Sequence, residues 1–174
     1  MKLLGRFVRF ETHAMKALSW ALFAAYLLIL LWLVLFKFSY EPFAVIDDFQ
    51  TRSLNLIPFA RTHTSEMIWN IVAFIPFGVM LGVCFKQVVF RNKIAVIFAF
   101  SLAVEIIQFA LAIGVADITD IIMNTLGGSL GLAGYVAVSK HTNETFLDRR
   151  ILIAGTLTLL TILYLRVFVF IVRY

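Results

Sequence analysis

Residues 17–36 read ALSWALFAAYLLILLWLVLF, an apolar run without a charged side chain. A run of about 20 apolar residues is long enough to cross the hydrocarbon core of a bilayer as a helix. Further apolar runs follow at Met67–Phe85, Ile94–Ile113, Ile118–Val138 and Ile151–Val172. The sequence therefore predicts an all-α, polytopic bundle of about five transmembrane helices, which form a single membrane domain over residues 1–174.

The composition of the chain agrees with this architecture. Of its 174 residues, 62% are hydrophobic and only 14% are charged, whereas soluble domains carry about 45–50% apolar and about 25% charged residues. The net charge of +5 comes from basic residues that flank apolar runs, so we expect the lipid bilayer, and no nucleic acid, as partner. The one cysteine and three histidines are scattered, and they predict neither a metal site nor a cofactor.

The distribution of Lys and Arg predicts the orientation, because these residues concentrate in cytoplasmic loops. With the N-terminus inside, the outer segments hold only Lys37, Arg52, Arg61 and Arg173, and the inner segments hold most of the rest. We therefore expect the N-terminus inside and the C-terminus outside. The long outer loop, residues 38–65, contains the apolar piece Leu54–Phe59, which is too short to span. Whether that loop is re-entrant, interfacial or a lid stays open at this point.

Polar side chains inside the spans are few, and they lie at similar depth. Such residues are costly in a bilayer and usually face the bundle interior or a water-filled cavity. Glu105 lies about 12 Å below the outer end of the third span, and Asn124 about 10 Å below that of the fourth, at 1.5 Å per residue. We predict a polar cavity that opens outward, and its candidate ligand-binding residues are Asn55, Arg61, Asn70, Glu105, Gln108, Asp117, Asp120 and Asn124.

Structural roles compete with ligand binding at several of these positions. Asn70, Gln108 and Asn124 are also explained by interhelical hydrogen bonds. Asp117 is also explained as an N-terminal cap of the fourth span. Glu105 is the hardest to explain structurally, because a carboxylate in mid-span must be either paired or protonated.

Two further features concern the packing of the helices. Gly127 and Gly131 form a small-xxx-small pair that lets helices approach closely. Gly131 lies on the same face as Asp117, Asp120 and Asn124, and we expect that face of the fourth span to pack on the third. Arg166, in the fifth span, either extends to the outer head groups or pairs with Glu105.

Three stretches together resemble the VanZ-like family of bacterial membrane proteins. They are NLIPF at 55–59, NIVAFIPFG at 70–78, and EIIQ at 105–108, the last followed by GVADITD at 114–120 and NTLGG at 124–128. The resemblance covers residues 54–138, an outer loop with the second to fourth helices. It implies a place in the bacterial cytoplasmic membrane and an association with resistance to the glycopeptide teicoplanin. It implies no particular reaction, so whether the protein is an enzyme stays open.

The leading hypothesis is a membrane protein that holds an amphipathic or lipid-linked ligand in the outer cavity. It would thereby contribute to glycopeptide resistance or to modification of the cell envelope. The alternative is an intramembrane enzyme on a lipid-linked envelope substrate, with Glu105 and Asp120 as catalytic acid and base. Proton-coupled transport through Glu105 is less favoured, since five helices carry no paired repeat. The sequence does not fix the oligomeric state.

Overall fold

The computed structural model describes residues 2–35, 53–60, 63–113 and 115–173, and their side chains except those of residues 2–13, 162 and 165–173. Within these ranges the elements are α1 (Lys2–Leu35), β1 (Ser53–Asn55), α2 (Thr64–Cys84), α3 (Phe90–Leu111), β2 (Val115–Asp117), α4 (Ile118–Ser139) and α5 (Glu144–Arg173). The predicted helical architecture is confirmed, and two strands of three residues each are added to it.

In the described part of the chain, four helical segments are long and apolar enough to cross a membrane. They are Ala14–Leu35 and the whole of α2, α3 and α4. In order along the chain they correspond to the first four predicted spans. The fifth predicted span lies in α5, where the side chains from residue 165 onward are not described. That span therefore stays a prediction, as does the orientation.

By its contacts the chain divides into two compact units. One comprises Met1–Leu22 with Val138–Tyr174, and the other comprises Phe23–Ala137. In the first unit Leu152 is buried, and a Cβ added at Gly155 would lie 2.9 Å from Leu22 Cδ2. The second unit contains α2, α3, both strands and nearly all of α4. The single domain expected over residues 1–174 stays a prediction.

In the second unit, α2 and α4 approach each other through glycines. A Cβ added at Gly127 would collide with the backbone carbonyl oxygen of Ile71, and one added at Gly131 with that of Ile75. Small residues allow this approach by leaving the helix backbone uncovered.

The face that carries Asp117, Asp120, Asn124 and Gly131 was expected to pack on the third span. That holds for Asn124, which bonds to Ser101 of α3, but not for Gly131, whose neighbour is α2.

The contact between α3 and α4 uses a different side of the same glycine-rich turn. At Gly128, an added Cβ would lie 2.6 Å from Ile97 Cγ2 of α3. Adjacent residues of an α-helix point about 100° apart at 3.6 residues per turn. The turn that includes Gly127 and Gly128 thus serves two neighbouring helices.

Phenylalanines join α1 to α2 and α3 within the second unit. Phe23 stacks on Phe77, with ring centroids 6.0 Å and planes 9° apart. Phe77 also meets Phe100 of α3, with a centroid distance of 5.1 Å. Such aromatic pairs contribute about 0.5–1.5 kcal/mol beyond the area that they bury. They fix the second half of α1 against its neighbours.

The two short strands bring the loop before α2 onto the start of α4. They are parallel, with Leu54 opposite Ala116 and Asn55 opposite Asp117. The piece Leu54–Phe59 thus begins as a strand, and it continues into a turn in which Phe59 has a φ of 62°. The residue pattern did not predict a strand, because three residues are too few to show an alternation of apolar and polar side chains.

Candidate functional site

The strand pair ends at Asp117, which is the centre of a buried hydrogen-bond network. Its Oδ1 accepts a hydrogen bond from the backbone N–H of Thr119 at 2.7 Å, and this caps the start of α4. Its Oδ2 accepts from Asn55 Nδ2 at 2.9 Å. Its own backbone N–H donates to Glu105 Oε2 at 2.8 Å. One residue therefore links β1, β2, α3 and α4.

Glu105 and Asp117 place two carboxyl groups in one buried network. Glu105 is 4% exposed and Asp117 is 6% exposed. Carboxyl oxygens accept hydrogen bonds, and a carboxyl group that carries a proton also donates one. The site is therefore chemically suited to hold a proton, a cation or the hydrogen-bond donors of a ligand.

Asp120 and Asn124 lie further along α4 and face two different helices. Asn70 Nδ2 of α2 donates to Asp120 Oδ1 at 2.8 Å. Asn124 Nδ2 donates to Ser101 Oγ of α3 at 2.9 Å. Both hydrogen bonds are buried and interhelical, which is the structural role that competes with ligand binding at Asn70 and Asn124.

Gln108 joins α3 to the end of α1. Its Nε2 donates to the backbone carbonyl oxygens of Val34 at 3.0 Å and Leu35 at 3.4 Å. The last carbonyl groups of a helix have no partner within the helix, so this side chain supplies one. Two buried amide oxygens, Oε1 of Gln108 and Oδ1 of Asn124, have no hydrogen-bond partner among the described residues.

The predicted residues therefore form separate groups rather than one. Asn55, Glu105 and Asp117 share a network, Asn70 and Asp120 form a pair, and Gln108 and Asn124 bond elsewhere. Arg61 lies outside the described residues, and so does the side chain of Arg166. In the described ranges no group of three or more His, Cys, Asp or Glu residues is placed to hold a metal ion.

Sequence reasoning missed two hydroxyl residues in these networks. Thr119 Oγ1 accepts from the backbone N–H of Phe59 at 3.0 Å, and Ser101 Oγ accepts from Asn124. For Ser101 a signal was available, because Ser101, Glu105 and Gln108 follow the i, i+4, i+7 spacing of one helix face. For Thr119 the acceptor role depends on a turn that the sequence does not reveal.

An apolar groove of about 490 Å³ leads to Glu105 and Asp117 between the strands and the helices α3 and α4. This volume falls in the range of about 300–1,000 Å³ that is typical of small-molecule sites. The groove lies at the surface of the second unit. Three residues of its wall, Leu102, Ile106 and Phe109, are each at least 37% exposed. Its apolar walls include Leu54, Leu56, Phe98, Leu102, Ile106 and Phe109.

The groove differs from the outward-opening polar cavity that the sequence predicted. Most of the predicted polar side chains bond to one another, because an unsatisfied polar group in a bilayer is costly. The groove beside Glu105 has apolar walls. Glu105 and Asp117 are the lining residues that carry a carboxyl group. Asp120, which is paired with Asn70 on α2, does not line this groove.

The model of the VanZ/LLP1 family matches residues 23–139. The chain belongs to the VanZ/LLP1 family. The VanZ/LLP1 match is wider than the expected core of residues 54–138, since it includes the second half of α1. It nearly coincides with the compact unit Phe23–Ala137.

A curated relative agrees with this membership. Protein VanZ of Enterococcus faecium is 50% identical over 152 residues, which are 87% of this chain and 94% of the relative. No solved structure matches the chain. The VanZ/LLP1 match contains every described residue of the two carboxyl-bearing networks, from Asn55 to Asp120.

Proposed function

We propose that this VanZ/LLP1-family protein binds an amphipathic or lipid-linked ligand in the groove over Glu105 and Asp117. By doing so in the bacterial cytoplasmic membrane, it contributes to teicoplanin-type glycopeptide resistance or to modification of the cell envelope. The observation that carries the proposal is the junction of an apolar groove of about 490 Å³ with two buried carboxyl groups. The relative named Protein VanZ and the family resemblance support the link to teicoplanin.

The walls of the groove suit the hydrocarbon part of such a ligand. They are formed by Leu54, Phe98 and Leu102, among other apolar residues. A hydrocarbon chain gains little when it moves from lipid to a leucine-lined surface, because lipid tails are as apolar as leucine. Selectivity must therefore come from the polar part of the ligand.

The polar part would meet Glu105 and Asp117. An ionised carboxylate only accepts hydrogen bonds, so the head group that fits is rich in hydroxyl, amide or amine donors. A glycopeptide and the sugar of a lipid-linked wall precursor both offer such donors. Asn55 and Asn70 would act indirectly, by holding Asp117 and Asp120 in place.

The proposal is tested by measuring teicoplanin susceptibility in cells that express native protein or Glu105→Gln. Glutamine keeps an acceptor for the backbone N–H of Asp117 but removes the carboxyl group. We expect protection to be lost while the amount of protein in the membrane is unchanged. The control is Glu66→Gln, which removes an exposed carboxylate from the first turn of α2. Undiminished protection by Glu105→Gln would refute the proposal.

A second candidate is an intramembrane enzyme that acts on a lipid-linked envelope substrate. The observation in its favour is that Glu105 and Asp117 both line one groove, since acid–base catalysis can use two carboxyl groups with different proton affinities. The pair suggested by the hydrogen bonds is Glu105 with Asp117, because Asp120 bonds to Asn70 instead. Turnover of a lipid-linked substrate by the purified protein, lost in Glu105→Gln, would favour this function over ligand binding.

A further inference from the structure

The segment Leu54–Phe59 exposes a continuous apolar surface. Asn55 is its one buried residue, because successive side chains of a strand point to opposite faces and its neighbours point outward. Four large apolar side chains are each at least 54% exposed: Leu54, Leu56, Ile57 and Phe59. Exposed apolar patches mark sites of contact with a membrane or with another molecule. The depth of the segment relative to the helices decides between the two.

Hydrogen bonds place the segment beside α3 at a level well before the end of that helix. Asn55 pairs with Asp117, and Asp117 donates its backbone N–H to Glu105 Oε2 at 2.8 Å. Glu105 is six residues before Leu111, the last residue of α3, hence about 9 Å from the helix end at 1.5 Å per residue. The 22 residues of α3 measure about 33 Å, which slightly exceeds a hydrocarbon core of about 30 Å. Asn55 therefore lies at a level inside the hydrocarbon core.

The register of α3 and α4 gives the same depth independently. A Cβ added at Gly128 of α4 would meet Ile97 of α3, and Ser101 bonds to Asn124, so the helices are antiparallel. Ile97 is 14 residues before the end of α3, whereas Gly128 is only 10 residues after the start of α4. The difference of four residues means that α4 starts about 6 Å below the end of α3. β2 covers this descent and β1 runs parallel to it, so the turn after Asn55 lies at the lower end of β1.

The backbone of this turn is suited to an environment without water. Irregular backbone is tolerated at membrane depth only where the protein satisfies its polar groups. The N–H of Ile57 donates to Asn55 Oδ1 at 3.3 Å, and that of Phe59 donates to Thr119 Oγ1 at 3.0 Å. Between them, Pro58 has no N–H, and the residue after Phe59 donates to the Ile57 carbonyl oxygen at 3.4 Å. Each N–H from residue 57 to residue 60 is thus either bonded or absent.

We propose that Leu54–Phe59 is a re-entrant turn whose exposed apolar side chains insert into the lipid bilayer and contact acyl chains. Six residues are too few to cross a bilayer, so the turn occupies one leaflet. The orientation predicted from the sequence makes this the outer leaflet. The proposal does not depend on a ligand in the groove. It has a consequence for the groove, since Leu54 and Leu56 on its wall then border lipid, from which a hydrocarbon tail can enter sideways.

The test is nitroxide spin labelling of the full-length protein in phosphatidylglycerol–phosphatidylethanolamine liposomes, on a Cys84→Ala background. Labels are attached to Ile57→Cys, Ile106→Cys and Asn143→Cys, and collisions with oxygen and with a polar nickel complex are measured by power saturation. Oxygen concentrates in hydrocarbon, whereas the nickel complex stays in water. Ile106 adjoins Glu105 and is 58% exposed, compared with 68% for Ile57, so it is the matched control for lipid. Asn143 is exposed just before α5 and is the control for water.

We expect the ratio of oxygen to nickel collisions at Ile57→Cys to equal that at Ile106→Cys and to exceed that at Asn143→Cys. Burial within the protein lowers both collision rates, so their ratio reports the surrounding medium. A ratio equal to that at Asn143→Cys would place the turn in water, and a ratio between the two controls would place it among the head groups. Either result would overturn the proposal. Labelled variants are compared at a Tm equal to that of Cys84→Ala, which ensures that each label reports on folded protein.

Discussion

The helices α2 and α4 meet in two regions that are built differently. In the polar region, a hydrogen bond joins Asn70 to Asp120, close to the network of Asp117. In the glycine region, the two backbones approach each other at Gly127 and Gly131. We define the polar region as the Asn70–Asp120 pair with the adjoining network of Asn55, Glu105 and Asp117, and the glycine region as Gly78, Gly127 and Gly131.

The difference indicates that one set of residues stabilises the helix pair and another set carries the chemically reactive groups. Interhelical hydrogen bonds in membranes contribute only about 0.6 kcal/mol on average. An added methyl group in a tightly packed contact costs about 1–3 kcal/mol. The glycine region should therefore determine whether α2 and α4 stay together. The polar region can then hold buried carboxyl groups that stability alone does not require.

The largest effect on stability is expected in the glycine region. Gly131→Ala places a methyl group against the carbonyl oxygen of Ile75, and overpacking of this kind costs about 1–3 kcal/mol. Gly134→Ala is the matched control, because an added Cβ there meets nothing within 4 Å. Thermal unfolding in detergent should show a lower Tm for Gly131→Ala only. Equal Tm values for the two variants would mean that the glycine region does not hold the helices together.

A smaller effect is expected from the polar region. Asn70→Ala removes the donor to Asp120, which should cost about 0.6–1.7 kcal/mol by comparison with other interhelical bonds in membranes. Asn92→Ala, at an exposed position near the start of α3, is the control and should leave the Tm unchanged. A loss for Asn70→Ala larger than that for Gly131→Ala would reverse the comparison between the two regions.

A local effect is expected at the strand pair. Asn55→Ala removes the hydrogen bonds from Asn55 Nδ2 to Asp117 and from the Ile57 N–H to Asn55 Oδ1. Hydrogen exchange of the Ile57 and Phe59 backbone amides should become faster, with little change in Tm, because only a short segment is released. Ser53→Ala, on the same strand, serves as control. If the amides exchange no faster than in that control, Asn55 does not hold the strand.

The smallest effect on stability is expected from Glu105→Gln. The substitution keeps an acceptor for the backbone N–H of Asp117, and the Tm should shift by less than that of Asn70→Ala. Glu105→Gln should nevertheless abolish protection against teicoplanin. A variant that lost protection only in proportion to a fall in Tm would show that Glu105 is a structural residue.

Much of the fold could be predicted from the sequence because it depends on long, strong patterns. The spans containing α2, α3 and α4 follow from long, predominantly apolar runs. The two strands could not be predicted, since their pairing depends on contacts between residues 62 positions apart, such as Asn55 and Asp117. Which helix packs on Gly127 and Gly131 also depends on the arrangement of three helices. The residue pattern of a single helix does not contain that information.

The sequence indicated which polar residues are buried, but not how they are paired. The cost of polar groups in a bilayer singled out Glu105 and Asp117 from residue type and depth alone. The same cost makes the polar side chains bond to each other, so the opening beside Glu105 is apolar rather than polar. The cap formed by Asp117 was an expected alternative. Its further bonds to Asn55 and Glu105 required the strand pair.

The most direct test of the ligand groove compares two tryptophan substitutions on α3. Leu102 and Ile107 are both 37% exposed, but only Leu102 lines the groove. Binding of teicoplanin and of a tail-less glycopeptide would be measured on purified protein in nanodiscs. We predict saturable binding of the tailed compound alone, lost in Leu102→Trp and kept in Ile107→Trp. Equal binding by both variants, or binding of both compounds alike, would contradict the assignment of the groove as the site of the hydrocarbon tail.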